Sequence, residues 1–305
     1  MAIAERAPLP ATAPPAQGPW RRFVAEFCES KLAVAGLMLL AAIVLLAVAA
    51  PIISPQNPYD LAQLDVMDSK LPPGAASATG KTYWLGTDDQ GRDMLSGIFY
   101  GLRISLAVGA SSTVIALAIG LVLGLAAAYF GGWVDVLVMR IADIQLSFPA
   151  ILIALVLLAL MGQGVGKIVA ALVTVQWAYY ARTVRSAALV ERQKEYIEAA
   201  RALAFSRARI VFRHLLPNCV PPLILVATVQ VAHAISLEAT LSFLGLGLPI
   251  TEPSLGLLIA NGFQYLLSGT YWISFYPGVA LLATIVSINL VADQLRDVLN
   301  PRLRK

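Results

Sequence analysis

The chain is poor in charge. Asp, Glu, Lys and Arg make up 13% of its 305 residues, where soluble domains carry roughly a quarter. With 58% of the residues hydrophobic, too little polar surface remains for a soluble fold, and the composition is that of a polytopic membrane protein. Cysteine is scarce as well. Cys28 and Cys219 are the only two, far apart and both on the side predicted to be cytoplasmic, so neither a disulfide nor a metal-ligand spacing is expected. Histidine is limited to His214 and His233. There is no H-E-x-x-H and no G-x-S-x-G, so an intramembrane protease or lipid hydrolase lacks its usual parts. A phosphate-cradling loop is missing too. The nearest phrase, Gly162-Gln163-Gly164-Val165-Gly166-Lys167-Ile168, fails the G-x4-GK[ST] spacing and lies in a predicted outer loop. The chain is therefore expected to carry no cofactor and no catalytic residue, and any ATP that drives it must be bound by another chain. The net charge of +4 does not point to nucleic acid, because the basic residues sit in short loops beside apolar runs, as membrane topology distributes them.

What the sequence has in quantity is long apolar runs. Six are predicted to span, at about 32 to 53, 104 to 129, 136 to 160, 166 to 184, 219 to 246 and 274 to 292, each near or above the roughly 20 residues a spanning helix needs. The first is too long for the apolar core of a secretory signal and reads as a retained helix. Before it, residues 1 to 19 hold five prolines and suit a disordered cytoplasmic tail. Trp20, Phe23, Val24 and Phe27 then recur at helical spacing, as in a helix lying in the interface. With the N-terminus inside, Lys and Arg divide 17 inside to five outside, accounting for all 22, which agrees with an even number of spans and with the positive-inside rule. The division is an interfacial helix and first span at 20 to 53, an extracytoplasmic loop at 54 to 103, and a membrane domain at 104 to 305 containing a cytoplasmic loop at 185 to 218. Pro149 is expected to kink or break the third span, and 254 to 267 reads as a short outer helix or re-entrant piece.

The most informative stretch runs from Glu191 to Asn218. Between residues 182 and 214 it sets eight Lys or Arg against Glu191, Glu195 and Glu198. Tyr196, Ala200, Leu203 and Ala204 recur at the spacing of an amphipathic helix, which by itself describes any helix resting on a membrane. The phrase Glu198-Ala199-Ala200-Arg201-Ala202-Leu203, followed by Ser206-Arg207 and ending on Leu216-Pro217, resembles the EAA loop of bacterial ABC-importer permeases. The family usually has Gly where this chain has Ala204. Further phrases extend the resemblance from about residue 20 to the C-terminus: Lys31-Leu32-Ala33, Leu85-Gly86-Thr87-Asp88-Asp89-Gln90-Gly91-Arg92-Asp93, Tyr100 to Leu106, Glu238 to Gly247, Pro277-Gly278 and Asp293 to Arg302. They are similar to the second permease of dipeptide, oligopeptide and nickel importers.

That resemblance implies an all-α membrane protein of the type I importer fold, placed in a bacterial inner membrane with both termini cytoplasmic and a cytoplasmic coupling helix. The implied partners are a paralogous permease, two ABC ATPase subunits, an extracytoplasmic solute-binding protein and the lipid bilayer. The coupling residues it marks are Glu198, Ala199, Ala200, Arg201, Leu203, Ala204, Arg207, Leu216 and Pro217. Glu198 and Ala200 would enter or border a groove on the ATPase, with Arg201 and Arg207 at its polar rim. Two acids fall within predicted spans, where an ionisable residue is a functional hypothesis by default. Asp143, three residues from Arg140, reads as half of an ion pair at the inner boundary. Glu238 reads either as a cavity or gate residue or as a structural hydrogen-bond partner. The alternative to an ATP-driven importer is an ion-coupled secondary transporter, which would need acid or His relays and inverted repeats.

Overall fold

The computed structural model of the chain describes residues 18–77 and 80–299. The predicted disordered tail therefore lies outside the described residues, apart from Gly18 and Pro19, as does the chain from 300 onward. The first helix, α1 (Pro19–Cys28), leads into α2 (Lys31–Ile53), which starts where the Ser30 side chain accepts a bond from the Ala33 amide. Phe27, Ala33 and Val298 form a small core that fastens this entry to the last helix.

The segment after α2, predicted to lie outside, is built on two short 3-10 turns and a two-stranded antiparallel hairpin, β1 (Ala75–Ala76) with β2 (Thr82–Tyr83), pairing Ala75 with Tyr83 and Ala76 with Thr82. It is shorter than the sequence predicts. Asp93 caps α3 (Met94–Phe130) by accepting from the Ser96 amide at 2.9 Å, so the helix begins ten residues before the apolar run does and projects beyond it. Gln56 locks the segment onto this cap, its amide donating to the Ser96 hydroxyl at 3.1 Å and its side-chain oxygen accepting from the Asp93 amide at 2.7 Å. Trp272 Nε1 donates to the Thr87 carbonyl, and Arg92 Nη2 to that of Ile250, tying two of the predicted outer loops, 54 to 103 and 247 to 273, together.

Gly131 and Gly132, at φ 66° and 54°, turn the chain from α3 straight into α4 (Gly132–Leu146), so the predicted inner loop at 130 to 135 is a tight turn. The third span breaks at Ser147 to Pro149, as the missing proline N–H requires, and α5 (Ala150–Met161) leaves at 91° to α4. After α6 (Val165–Arg192) and α7 (Glu195–Ala202), the chain enters one continuous helical stretch, Arg207–Phe243. It comprises α8 (Arg207–Arg209), a wide π-type segment over Ile210–Leu215 and α9 (Leu216–Phe243). The wide segment falls just before Pro217, whose ring and absent N–H do not fit a regular α-turn. The predicted short outer helix is α10 (Leu255–Phe263), capped by Ser254 and packed on α9 and α11 (Trp272–Leu299).

By length and apolar character, four single helices among the described residues can cross a bilayer: α2, α3, Arg207–Phe243 and α11; the bent pair α4 and α5 makes a fifth. The remaining predicted span is α6. At 28 residues it is long enough, but Gln176, Trp177, Tyr179, Tyr180, Arg182 and Arg185 make its inner half less apolar than a lipid-facing helix. Gln176 and Tyr180 are fully buried and Trp177 half-buried, while Tyr179 and Arg182 stay exposed. Two clusters of buried side chains pack along it, one around Leu172, Leu237 and Leu241, the other around Tyr180, Val184 and Leu223. Glycines permit its close approach to α3: a Cβ at Gly124 would stand 2.5 Å from the Ala181 carbonyl oxygen. Such small-residue contacts are what pack helices in lipid, where the hydrophobic effect does not drive them together.

Candidate functional site

The loop between α6 and α9 holds α7 as a tethered rod. Its inward face is Ile197 and Ala200, which pack with Ile210 and Leu215 beneath Tyr129 and Phe205. Its outward face carries Glu198, Ala199, Ala202 and Leu203, with Leu203 68% exposed. The sequence periodicity named Tyr196, Ala200, Leu203 and Ala204 as one face; the buried pair is instead Ile197 and Ala200. Ala200, 3% exposed, faces this chain's own core and offers nothing to a partner's groove. An acidic side chain there would disrupt that core before it could disturb docking.

The end of α7 is a Schellman turn. Phe205 N–H bonds to the Ala200 carbonyl at 3.1 Å and Ala204 N–H to that of Arg201 at 2.9 Å, while the Phe205 ring packs over the cluster containing Ala200. Ala204 occupies the left-handed position of this turn with φ 55°, where glycine carries no Cβ penalty. The departure from the usual glycine therefore falls at the turn itself. Phe205 also stacks on His214, with ring centroids 6.0 Å apart, and carries the Arg209 guanidinium over its ring at 4.2 Å from the centroid. At the start of α7, Tyr196 donates to Glu191 at 2.5 Å and accepts from Asn218 Nδ2 at 3.0 Å. Leu216, half-buried, and exposed Pro217 open α9 beside this knot. Arg201 and Arg207 are exposed but turn toward the inner end of α3, where they share a cavity with Arg192, Tyr129 and Phe130.

Asp143 is paired, but with Arg182 of α6 and not with Arg140. An i to i+3 neighbour on α4 lies on the same helix surface, whereas Arg182 reaches across from the adjoining helix. A second pair, which the sequence did not reveal, joins Arg185 to both oxygens of Asp135. Gln145 extends the same seam beyond Asp143, donating to the backbone oxygens of Thr174 and Val175 and accepting from Trp177 Nε1 at 2.6 Å. Together they staple α4 to α6 along most of the length of α4. Pairs this exposed contribute about 0 to 1 kcal/mol each, so they set the register of the two helices more than their stability.

Glu238 is fully buried. Its carboxylate accepts from Ser105 of α3 at 2.9 Å and from Ser242 one turn along α9 at 2.7 Å, with the Ser254 hydroxyl at the start of α10 also in reach. Glu238 thus joins α3, α9 and α10 from a fully buried position. The surface of α9 that does face outward was missed. His233 and Ser236 are exposed, and Thr240 and Phe243 continue the same stripe. Ser236, Thr240 and Phe243 line a shallow pocket with Ile259 of α10 and Leu281 of α11. A polar stripe on a spanning helix is costly against lipid, and its i, i+3, i+7 spacing was the signal available in the sequence.

A bent bundle of long apolar helices with a short charged helix packed at one end has the make-up of a membrane protein. Comparison with known proteins gives the family. Residues 120–305 match the family described as "Binding-protein-dependent transport system inner membrane component", and residues 18–73 match the "N-terminal TM domain of oligopeptide transport permease C". The dipeptide transport system permease protein of Alkalihalophilus pseudofirmus is 35% identical over 302 residues, covering 97% of this chain and 96% of that protein. The di/tripeptide transport system permease protein of Pseudomonas aeruginosa is 36% identical, covering 94% and 93%. Among solved structures, an inward-facing MetNI methionine ABC transporter chain aligns over 67% of this chain and 97% of its own length with TM-score 0.53 at 23% identity, a likeness of fold. The chain belongs to the family of inner membrane components of binding-protein-dependent transport systems, and it is a permease subunit of an ABC importer. Membership implies an inner-membrane location, ATPase subunits and a solute-binding protein.

Proposed function

We propose that this chain forms one half of a translocation path for peptides or a related small solute and works with a paralogous permease, two ATPase subunits and an extracytoplasmic solute-binding protein. The ATPases bind and hydrolyse the nucleotide; this chain carries no cofactor and catalyses no covalent step. Both termini and the 185 to 218 segment lie in the cytoplasm, and the hairpin-bearing outer segment meets the binding protein. Peptides are favoured as cargo by the names of the relatives, which transport dipeptides and di/tripeptides.

The observation that carries this reading is the two-sided character of α7. Its inner side is anchored by Ile197 and Ala200, while Leu203, an apolar residue, stands free beside Glu198 and Ala199 on a cytoplasmic surface. A partner that grips this outer side moves the rod, the Tyr196, Glu191 and Asn218 contacts pass the motion to α6 and α9, and the rigid helices open the path on one side or the other. The coupling set is Glu198, Ala199, Arg201, Leu203, Ala204 and Arg207, with Ala200, Leu216 and Pro217 as its seat. The path wall is the Ser236 and Thr240 stripe, which Glu238 holds in place from behind, while Asp143 ties the end of α4 beside the Pro149 break to α6.

Purification of the tagged chain tests the proposal. It should bring along a second permease and an ATPase, and ATP hydrolysis by that complex in vesicles should rise when a peptide-loaded binding protein is added. Peptide uptake by the chain alone, driven by an ion gradient without any ATPase, would overturn it.

A further inference from the structure

We propose that the inner end of α3 and the arginines beneath it form a binding site for an anionic phospholipid of the cytoplasmic leaflet. The inference needs the membrane placement of the chain and does not depend on the coupling role given to α7. Two adjoining spaces carry it. The first is a polar cavity of about 240 Å³ lined by Arg192, Arg201, Arg207, Tyr129 and Phe130, with no acidic residue in its wall. Arg192 is held in position by its bond to the Ala128 carbonyl at 2.8 Å. Neither Arg201 nor Arg207 takes part in any of the salt bridges among the described residues. The nearby Glu191 is already committed to Lys194 and Tyr196. Three guanidinium groups around one space repel each other until an anion enters, and a phosphate is the anion their planar forks suit.

The second space is a groove of about 360 Å³ that shares Tyr129, Phe130 and Arg207 with the first and continues between α3 and the π-type segment along Val122, Leu125 and Phe212. Its wall is almost wholly apolar. Val122 and Phe212 are 65% and 66% exposed, so the groove opens sideways from the bundle and not into its core. An anionic head above and an apolar trough beside it match one occupant in both parts, a phospholipid whose phosphate sits among the arginines and whose acyl chain lies against α3. Free phosphate would use only the cavity. An acidic protein surface would have no use for a trough running along a spanning helix. Basic pockets at the cytoplasmic ends of membrane helices are where acidic head groups bind. Because Arg201 belongs to α7, a lipid in this site would brace the rod against the membrane.

The test is native mass spectrometry of the assembled, detergent-solubilised transporter with added phosphatidylglycerol or phosphatidylcholine. Phosphatidylglycerol should be retained in preference. Arg201→Gln with Arg207→Gln should weaken its retention about thirtyfold, to the level of phosphatidylcholine, and Arg201→Lys with Arg207→Lys should restore most of it. Val122→Trp, which fills the groove without altering charge, should also lower retention. Equal retention of the two lipids, or undiminished phosphatidylglycerol binding by the glutamine variant, overturns the proposal. Displacement by inorganic phosphate with no effect of Val122→Trp would make it a plain phosphate site. Loss of the ATPase subunits with lipid retention unchanged would assign the arginines to a protein contact.

Discussion

Replacing Ala204 by glycine should tighten the end of α7. Ala204 holds φ 55° at the left-handed position of the Schellman turn, where an L-residue with a Cβ pays about 1 to 2 kcal/mol. Glycine removes that penalty but loses about 0.5 to 1 kcal/mol more backbone entropy on ordering, leaving a net gain of about 0.5 to 1 kcal/mol. If the turn opens locally to let its amides exchange, that gain slows exchange by a factor of about two to five. The reporting amides are Ala204, bonded to the Arg201 carbonyl at 2.9 Å, and Phe205, bonded to that of Ala200 at 3.1 Å. Hydrogen exchange read by mass spectrometry on peptides covering α7 and Phe205 checks it. Ala204→Val, with a β-branched side chain in the same backbone region, should speed exchange. Unchanged or faster exchange in Ala204→Gly would refute the argument that this turn is strained.

Three other outcomes follow from the same geometry. Gly124→Ala places a Cβ 2.5 Å from the Ala181 carbonyl oxygen and 2.9 Å from Val184 Cβ, forcing α3 and α6 apart at a cost of about 1 to 3 kcal/mol; a lower thermal midpoint in detergent reads it, and an unchanged midpoint argues against the close contact. Burial pushes the Asp88 carboxyl up to about 6, against the opposing bonds from the Arg92 and Gln90 amides. A raised acid binds its proton more readily in the folded state, so its stabilisation is complete below the ordinary carboxylate pKa of about 4 and is lost as pH rises through about 6. The outer segment should thus resist protease better at about pH 5 than at pH 7, and Asp88→Asn should abolish the difference. For topology, a cysteine at Lys81 should react with an impermeant thiol reagent in intact cells, and one at Lys194, a 52% exposed side chain, only after permeabilisation; the reverse pattern would invert the chain.

Five of the six predicted spans and the charged loop that holds α7 were legible because apolar length and basic clustering are properties of local sequence. The break at Pro149 was legible for the same reason, since proline dictates its own backbone. Helix ends were less so: α3 starts at an Asp93 cap that the apolar run does not announce, and α6 runs on to Arg192 with Gln176 and Tyr180 buried by neighbouring helices that its own composition does not reveal. At the site, α7 was found but its buried face was displaced by one residue, from Tyr196 and Leu203 to Ile197. The reason is that a helix of eight residues offers too few turns for periodicity to settle its orientation, which the tertiary cluster of Ile210 and Leu215 decides. Ser242 stands one turn from Glu238 on the same helix, but Arg182, which pairs with Asp143, and Ser105, which donates to Glu238, lie on other helices at sequence separations of 39 and 133, and no local pattern could supply them.

Leu203→Asp probes the central claim most directly, because Leu203 is 68% exposed on the free side of α7 and packs on nothing that holds the helix. If a partner covers it, the substitution forfeits about 2 kcal/mol of apolar burial and leaves a desolvated carboxylate in the contact. The measurement is ATP hydrolysis by the reconstituted complex with and without solute-loaded binding protein. The account predicts that the variant inserts and pairs with its sister permease but that its hydrolysis no longer responds to the binding protein. Stimulation equal to that of the unaltered complex would contradict it.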